Sequence, residues 1–520
     1  MESLQVRRAV EREPDGDGLD AANSGDFPQD DRWTAAWAGA VLRLNSREPF
    51  HGLPVTRDGL AGIAPRKRSD AGQGGRVEVV SRREVMQFRH WSDAFSLQAK
   101  DRRYYELIED TIHDEFDYRY FVMRDVNGRI RGVQPCFVLD QDLLVGTKPR
   151  IGLLTDLIRR VWPRFMRARM LMVGCAAGEG HIDGENEAAR RANARLLAAS
   201  ILDEARKLKT RLIVLKEFPA KYRPTLECFV DAAFTRIPSL PNVLLNIGYE
   251  SFEDYMAKAL SGGARRKLRL KLKASERAPK IEMSVVRDIA PIIDEVYPLY
   301  LAVYNRSSLH FEKLTKEYFC GLGHWMGDKN RFFIWRQGEK LVAFGSCLLQ
   351  GDTIHAEYLG LDYSVALNLH LYHYTFRDLV SWGIANGYKW FHSSALNYDP
   401  KFHLRYKLDP LDLYVRHTSA IWNAVFARIL PWIEPTRYDK TLKQFANYHE
   451  LWVTAEGKGQ PPRGVKAFAG SALQWTTRAL KARYSPAILS GLDRDAVSGA
   501  GTLLELGRDL PVQRGLDVAQ

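Results

Sequence analysis

The stretch from Phe332 to Lys407 constrains the fold of this chain most, because its apolar pattern changes from strand-like to helical and back. Two apolar runs, FFIWR and KLVAFGSCLLQ, are separated by the turn-rich QGEK, and Gly-Asp then leads into the alternating TIHAEYLGL. Alternation broken by such turns is typical of β-hairpins. Apolar residues at three- and four-residue steps follow over Leu367–Trp382, and YKWFHSSA comes next. This order predicts two or three antiparallel strands, a helix and a further strand.

Three short motifs of this stretch occur in the order seen in a known family. The third strand ends in AEYLGLD, the helix contains LNLHLYHYTF, and LRYK follows the last strand. The stretch resembles the acyl-CoA-binding half of GNAT (Gcn5-related) acyltransferases, and it is most similar to their FemAB-like branch, which includes proteins of peptidoglycan biosynthesis. The Arg/Gln-x-x-Gly-x-Gly sequence of many GNAT proteins is absent after AEYLGLD, so the acyl donor stays open.

Composition sets broad limits on the chain. Its 520 residues are enough for two or three domains, and 45% of them are hydrophobic, as in globular proteins. Lys and Arg number 75 against 63 acidic residues, which gives a formal charge of +12. This charge favours anionic partners such as CoA phosphates, acidic lipids or RNA, although a solvated basic surface would have the same composition.

Neither the cysteines nor the N-terminus points to export. The five cysteines are scattered, odd in number and without a CxxC pair, so we expect buried thiols rather than zinc ligands or disulfides. The opening MESLQVRRAVEREPDGDG lacks the apolar core of a signal peptide, and no apolar run of about 18 residues predicts a membrane span. We expect a cytoplasmic setting, with peripheral contact at the inner face of the membrane as an alternative.

The order of predicted elements occurs twice, which predicts an α/β (α+β) fold of tandem GNAT-like domains, each a mixed central sheet flanked by helices. The predicted divisions are a disordered N-terminal region (1–75), a first domain (76–248), basic linker helices (249–280), a second domain (281–454) and a weakly ordered tail (455–520). The chain is expected to pass between the domains once, through the linker, and the basic run should border a groove that they share.

Two segments outside the sheets have distinct patterns. In the linker, Ser251 and Asp254 resemble a helix-starting capping box, and the Ala- and Lys-rich flanks of RRKLRLKLK favour a helix over a strand. Farther on, HTSAIWNAVFARILPWIEP is apolar on most sides but too short to span a membrane. It is expected either to dock on the domain or to lie on a bilayer surface.

The first domain offers one candidate loop. GCAAGEGH (Gly174–His181) joins a strand to a helix, where backbone amides bind phosphates in many proteins. A cramped structural turn is the alternative, and Glu179 and Asp183 would repel an anion. Lys216 and Glu217 on the next strand are expected to pair with each other. We therefore expect the first domain to be mainly structural.

The second domain carries the candidate catalytic residues. Glu357 and Asp362 lie on or just after a strand that should line the central cleft, where a carboxylate can take the proton of an attacking amine. The resemblance adds Lys407 of LRYK, which would neutralise an oxyanion or a substrate phosphate. A salt bridge at a strand edge and a surface lysine are the alternatives. All three side chains are expected to meet in one cleft.

Further residues are predicted to bind substrate. The resemblance implies an acceptor-side loop near NRSSLHFEKLT, and Arg265–Lys273 is predicted either to bind anions or to form a solvated face. His370 and His373 have metal-compatible spacing but no evident third ligand, so we predict no metal site. The predicted substrate-binding residues are Asn305, His310, Glu312, Tyr358, His370 and Tyr406, and the predicted anion-binding residues are Arg265, Arg266 and Lys267.

These observations predict an N-acyltransferase. The donor would be a thioester, either acyl-CoA or an acyl carrier protein, or else an aminoacyl-tRNA, which is disfavoured because no coiled-coil arm is evident. The acceptor would be an amine, on a small molecule or a lipid-linked cell-envelope precursor. The alternative is a catalytically silent GNAT-like module that binds an anionic membrane or nucleic acid. The oligomeric state is left open.

Overall fold

A computed structural model describes residues 75–113, 116–142, 167–307, 312–437 and 439–453. The strands are β1 (Gly75–Val80), β2 (Asp117–Asp125), β3 (Ile130–Asp142), β4 (Arg167–Val173), β5 (Leu212–Pro219), β6 (Thr235–Pro238), β7 (Asn242–Asn246), β8 (Ile281–Val286), β9 (Asn330–Gln337), β10 (Lys340–Gln350), β11 (Thr353–Leu361), β12 (Trp390–Ser393), β13 (Lys407–Asp409) and β14 (Leu411–His417). The predicted terminal regions lie almost wholly outside the described residues.

The α-helices are α1 (Arg82–Val85), α2 (Arg89–Asp93), α3 (Arg102–Thr111), α4 (Glu187–Lys207), α5 (Arg223–Asp231), α6 (Phe252–Ala259), α7 (Gly262–Glu276), α8 (Ile293–Tyr304), α9 (Lys316–Met326), α10 (Leu371–Ala385), α11 (Tyr398–His403) and α12 (Ala420–Ile433). Short 3₁₀ turns precede α5 and α8 and follow α12.

The strands form two seven-stranded sheets that have exchanged one strand each. The first sheet has the order β1-β2-β3-β4-β5-β14-β6, and the second has the order β13-β7-β12-β11-β10-β9-β8. Each contains one parallel pair, β4–β5 or β11–β12, among otherwise antiparallel strands. Thus β14 completes the first sheet from the end of the chain, and β7 completes the second from the middle. The predicted fold class, two mixed sheets flanked by helices, is confirmed.

The exchange corrects the predicted path of the chain. The chain passes to the second sheet at β7, before the basic segment, and returns to the first sheet at β14. A single passage through the basic linker is therefore wrong, and the boundary at residue 248 does not separate the two sheets. Pairing between distant strands cannot be inferred from local patterns, because β7 and β14 have the same alternation wherever they insert.

Asp412 anchors the exchanged strand β14. Its carboxylate is buried and accepts hydrogen bonds from Arg223 Nε at 2.6 Å and from Arg236 Nη1 at 2.8 Å. Arg223 lies on α5 and Arg236 on β6, so both cations come from the first half of the chain. The strand β6 pairs only with β14 among the described strands, and this ion cluster holds the two together.

The buried apolar residues form three separate clusters, one between the two sheets and one on the outer side of each sheet. An inner core is shared by the facing sides of both sheets and by α3, α8 and α9, whereas the outer cores lie under α4 and α5 on the first sheet and under α6, α7 and α10 on the second. The predicted packing of the two sheets against each other is confirmed. The basic helix α7 buries Leu268 and Leu272 in the outer core of the second sheet. The expectation that it borders the space between the sheets is wrong.

Several local predictions are confirmed. Gly128, with a φ of 79°, closes the hairpin between β2 and β3, as the turn-forming pair Asn127-Gly128 predicts. Ser251 Oγ accepts a hydrogen bond from the Asp254 amide at 3.1 Å and starts α6, and the basic run is helical. The helix after β11 begins at Leu371, four residues later than predicted, because the chain first makes a series of turns.

Gly360 lets α8 approach β11 closely. A Cβ at this position would lie 2.2 Å from Phe344 Cε1 and 2.8 Å from the Leu299 backbone carbon. We expect Gly360→Ala to lower the free energy of unfolding by about 1–3 kcal/mol, since backbone cannot yield as a side chain does. Gly345→Ala on the neighbouring strand is the control, because its Cβ would meet nothing closer than 3.6 Å. Equal urea midpoints for the two variants would contradict this interpretation.

A candidate active site between the two sheets

Glu357 occupies a β-bulge of β11. In the pairing of β10 with β11, Ser346 lies opposite Tyr358 and Cys347 lies opposite Ala356, so Glu357 is the extra residue. Bulges re-aim side chains, and here the Glu357 and Tyr358 side chains both point towards the inner core. Regular strand alternation would put these two adjacent side chains on opposite faces, and the bulge interrupts it at this point.

The bulge lies where two parallel strands separate. β11 pairs with β12 only from Thr353 to Ala356, opposite Trp390–Ser393. β12 then ends while β11 continues to Leu361, and no described strand pairs with β11 on that side beyond Ala356. The separation leaves a cleft in the second sheet, with Glu357 at its start.

A buried lysine joins the two halves of the chain at this cleft. Lys100 Nζ lies 2.9 Å from Glu179 Oε2 and 2.8 Å from Glu357 Oε2. The lysine side chain is 2% exposed and the two carboxylates are 11% and 10% exposed. Glu179 follows β4 of the first sheet and Glu357 lies on the second, so each half supplies one carboxylate.

The environment separates the pKa values of these groups. Burial disfavours the lysine charge, but Glu179 and Glu357 raise the pKa of Lys100 well above its ordinary value. Burial also opposes ionisation of Glu179, yet Lys100 and His181 hold the pKa of Glu179 well below its usual range. At Glu357, burial outweighs Lys100 and, together with Glu179, raises the pKa. Glu179 therefore stays ionised, and Glu357 is the carboxylate suited to exchange a proton.

Lys100 is fixed by the turn that starts α3. Asp101 caps α3 by accepting a hydrogen bond from the Arg103 amide at 3.0 Å. Lys329, from the second half of the chain, donates to Asp101 Oδ2 at 2.7 Å and to the Gln98 carbonyl at 2.8 Å. These bonds hold the backbone on both sides of Lys100, so its ammonium group is held at the interface between the halves.

The loop Gly174–His181 is a structural turn that carries Glu179. The Gly180 amide donates to the Glu217 carbonyl at 3.0 Å, and Lys216 Nζ donates to the Gly178 carbonyl at 3.1 Å. A Cβ on Gly178 would lie 2.7 Å from Lys100 Nζ. The lysine thus packs directly against this loop. The predicted pairing of Lys216 with Glu217 is also present.

Three histidines extend the polar site. His355 and His392 occupy paired positions on β11 and β12, with ring centroids 4.8 Å apart, and His392 Nε2 lies 3.3 Å from Asp409 Oδ2. His181 Nε2 lies 3.7 Å from Glu179 Oε1. We call Lys100, Glu179, His181, His355, Glu357 and His392 the interface cluster.

One ring nitrogen of His355, Nδ1, is buried without a hydrogen-bond partner in the described residues. Burial and the neighbouring His392 keep the pKa of His355 well below its ordinary value, so the ring is neutral. An unpaired buried nitrogen is costly, and a substrate group that bonded to it would remove that cost.

Among the six residues of the interface cluster, the sequence predicts a catalytic role only for Glu357. His355 and His392 lie in quoted strands, and alternation would have put each on a definite face, but nothing in the sequence told which face is inward. Lys100 gave no local signal, because a lysine beside Asp-Arg-Arg reads as solvent-exposed. Glu179 was noted only as an obstacle to anion binding.

Asp362 and Lys407 do not join Glu357. Asp362 binds Lys340 Nζ at 2.6 Å, which with Ser364 lowers its pKa against the effect of burial. Lys407 is exposed on the edge strand β13, in the same row as His355 but three strand spacings away, about 14 Å. The expectation that all three share one cleft is wrong, because the exchanged strand β7 and β12 separate β13 from β11.

Two predicted substrate-binding residues contact each other. Tyr358 donates to Glu312 Oε1 at 3.3 Å, and burial raises the pKa of Glu312 to about 7 despite the nearby Lys216. Asn305 is exposed at the end of α8, and His310 lies outside the described residues.

Glu312 should make stability depend on pH. Its folded-state pKa of about 7 exceeds the ordinary 4.5, so the folded protein keeps a proton that the unfolded chain loses as pH rises through this interval. Its stabilising contribution is present below about pH 4.5 and is lost as pH rises to about 7. We expect Glu312→Gln to remove this decline, on the order of 3 kcal/mol, in urea unfolding measured across the interval. A variant profile parallel to that of the unmodified protein would exclude this role.

The remaining predicted residues lie on the other side of the second sheet. Tyr406 is buried among aromatic rings in the outer core, and its contact with substrate stays a prediction. His370 immediately precedes α10, and His373 Nε2 lies 3.2 Å from Lys271 Nζ of α7. Burial, with help from Lys271, lowers the pKa of His373 to about 3. In the described part of the chain, no group of three or more His, Cys, Asp or Glu residues has metal-binding geometry.

Three further findings bear on the initial expectations. Arg266 and Lys267 are exposed on α7, and Arg265 is half-buried. Cys136, Cys175 and Cys347 are buried free thiols, whereas Cys228 and Cys320 are half-buried. None of the described helices is long and apolar enough to cross a membrane.

Comparison with known families fits this geometry. The family model described as acetyltransferase (GNAT) domain matches residues 262–407, which include α7, the bulged strand β11, the cleft and α10. This match identifies these residues as similar to a GNAT domain. No curated protein matches the sequence.

Several solved structures are similar to this chain at low sequence identity. The C-terminal domain of a putative lysylphosphatidylglycerol synthetase from Agrobacterium fabrum is 16% identical, with 60% of this chain and 88% of that chain covered and a TM-score of 0.36. FemX is 11% identical, with 60% and 90% covered and a TM-score of 0.37. A tandem GNAT protein from the clavulanic acid biosynthesis pathway is 12% identical, with 66% and 99% covered and a TM-score of 0.36.

Proposed function

We propose that this protein is an N-acyltransferase that moves an acyl group from a CoA thioester to an amine. The observation that carries the proposal is the position of Glu357, bulged towards the interface at the point where β11 and β12 separate. A proton-exchanging carboxylate thereby lies beside an open strand edge. Acyl transfer to an amine needs both features, a base and a place for the donor.

The free edge of β11 suits the donor. Backbone groups of Glu357–Leu361 have no partner strand on that side, so they can bond the amides of an extended pantetheine arm. Beyond this edge the chain turns into the N-terminal end of α10, which begins at Leu371, and helix N-termini attract phosphate. Lys271 of α7 lies beside this end through its contact with His373 and would add a positive charge.

The interface cluster suits the acceptor. An ammonium group entering beside Glu357 would give its proton to this carboxylate, whose pKa is raised by burial. The free amine nitrogen then attacks the thioester carbonyl carbon and a carbon–nitrogen bond forms. The carbon–sulfur bond breaks, and the departing thiolate takes up the second proton, which the nitrogen loses as the amide forms. Glu179 keeps Lys100 neutralised during these steps, and His355 Nδ1 offers a hydrogen-bonding site for the acceptor.

The proposal also allows two other acyl donors. An acyl carrier protein thioester has the same pantetheine arm, and an aminoacyl-tRNA has the same reacting carbonyl on an ester. A cell-envelope precursor is the acceptor class that the FemAB-like resemblance suggests.

Calorimetric titration with CoA, an acyl carrier protein and tRNA tests the donor directly. We expect CoA to bind, and Lys271→Ala to weaken that binding by about fivefold to tenfold through loss of one charge–phosphate contact. Lys273→Ala is the matched control, since Lys273 is exposed on the same helix. Failure of all three donors to bind would overturn the transferase proposal.

The exposed face of α7 favours one competing function. Arg266, Lys267, Arg269 and Lys273 are exposed there, and such a face would let a silent module bind nucleic acid or anionic membrane. That function predicts binding that weakens steeply with salt and is unaffected by Glu357→Gln, with no acyl turnover.

A further inference from the structure

Helix α12 has an apolar face that nothing in the described structure covers. Ile421 is 67% exposed and Trp422 is 57% exposed, and Val425 and Ile429 are 38% and 40% exposed. Their spacing places them along one side of the helix. The opposite side packs Leu430 and Phe426 on the inner core. The apolar segment noted in the sequence is thus docked on one side and open on the other.

Uncompensated cations lie where this helix begins. The Thr418 amide donates to the Arg211 carbonyl at 2.9 Å, so Arg211 lies beside the entry to α12. Arg211 is exposed, and Lys209 is exposed two residues before it. We call Lys209 and Arg211 the basic edge.

The basic edge has no acidic partner within the described ranges. Neither of its two side chains forms a salt bridge there, and Arg211 acts electrostatically on His417, three residues before α12. Free positive charge therefore lies where α12 begins.

We infer that the open face of α12 and the basic edge form a binding surface for an anionic lipid bilayer. A helix that lies on a membrane combines an apolar face, a tryptophan at the headgroup level and flanking cations, and all three occur here. This surface is independent of the acyl-transfer site and of the basic face of α7.

A second copy of the chain fits this surface less well than a bilayer. Four exposed side chains on one helix offer a few hundred Å² at most, whereas a stable interface needs roughly 800 Å² per partner. A two-fold dimer on this face would also bring two basic edges close together, and their charges would repel.

Cosedimentation of the full chain with vesicles tests the inference. We expect binding to vesicles that contain phosphatidylglycerol, weaker binding at high salt, and little binding to pure phosphatidylcholine. Trp422→Ser combined with Ile421→Ser should lower the partition coefficient by at least about tenfold, and Arg211→Ser should lower it by about fivefold. The matched control is Leu270→Ser, since Leu270 is 59% exposed on the basic helix α7, and it should bind as the unmodified protein does.

Several results would overturn the inference. They are no binding to anionic vesicles by a folded protein, equal binding to phosphatidylcholine alone, or a loss of binding with Leu270→Ser but not with the α12 variant. Sedimentation equilibrium without lipid gives another test. A dimer that Trp422→Ser dissociates would assign the face to a second copy of the chain.

Discussion

Replacing Lys100 by methionine is expected to destabilise the protein by about 3–5 kcal/mol near neutral pH. The change leaves Glu179 and Glu357 buried close together without the cation that lies 2.9 and 2.8 Å from them. Like charges in a poorly solvated site repel, and the Glu179 and Glu357 side chains are only 11% and 10% exposed. Urea unfolding followed by circular dichroism measures the loss.

The pH dependence of the stability loss and a compensating variant identify the cause of that loss. The deficit of Lys100→Met should shrink as pH falls, because the two carboxylates then take up protons in the folded state. Adding Glu179→Gln and Glu357→Gln should restore part of the lost stability, since no unpaired charge remains. A deficit that is constant with pH and is not restored by the glutamines would show that Lys100 stabilises the fold through packing alone.

Changing Glu357 to glutamine is expected to lower the rate of acyl transfer by about 10²–10⁴-fold. Glutamine keeps the shape of the side chain but cannot accept the proton of the incoming amine. The fold should survive, because Glu179 still pairs with Lys100. The rate should be measured across pH with the donor that the binding titration identifies. The limb of the profile that reflects ionisation of Glu357 should disappear in the variant.

Two further variants make this measurement specific. Lys407→Ala should leave turnover close to that of the unmodified protein, since the register of the second sheet places Lys407 in the row of His355 but about 14 Å from it. Glu179→Gln should shift the pH profile rather than remove a limb, because Glu179 acts on Glu357 through Lys100. A large loss with Lys407→Ala and none with Glu357→Gln would contradict the assignment of the base.

The sequence predicted the elements of the fold better than their partners. Hairpins such as β2–β3 and the helix cap at Ser251 follow from turn residues and short-range patterns, and both were predicted. The exchange of β7 and β14 depends on which distant edges they meet, and local patterns carry no such information.

The candidate site was predictable only in part, for a similar reason. Glu357 was found because its strand could be aligned with a known motif order. Its orientation depends on a one-residue bulge, which the alternation of TIHAEYLGL does not reveal. Lys100 is more than 250 residues from Glu357 in the chain, and only the packing of the two halves brings them together.

The exchanged strands make the two halves inseparable. Each half resembles one protomer of a domain-swapped dimer whose subunits have become a single polypeptide. If the chain were cut between β7 and α6, the N-terminal fragment would lack the strand to which β6 is attached, and the C-terminal fragment would lack the strand to which β13 is attached. Each fragment alone would expose unpaired strand edges of the kind that aggregate, so recovery of the fold would need both fragments to be refolded together.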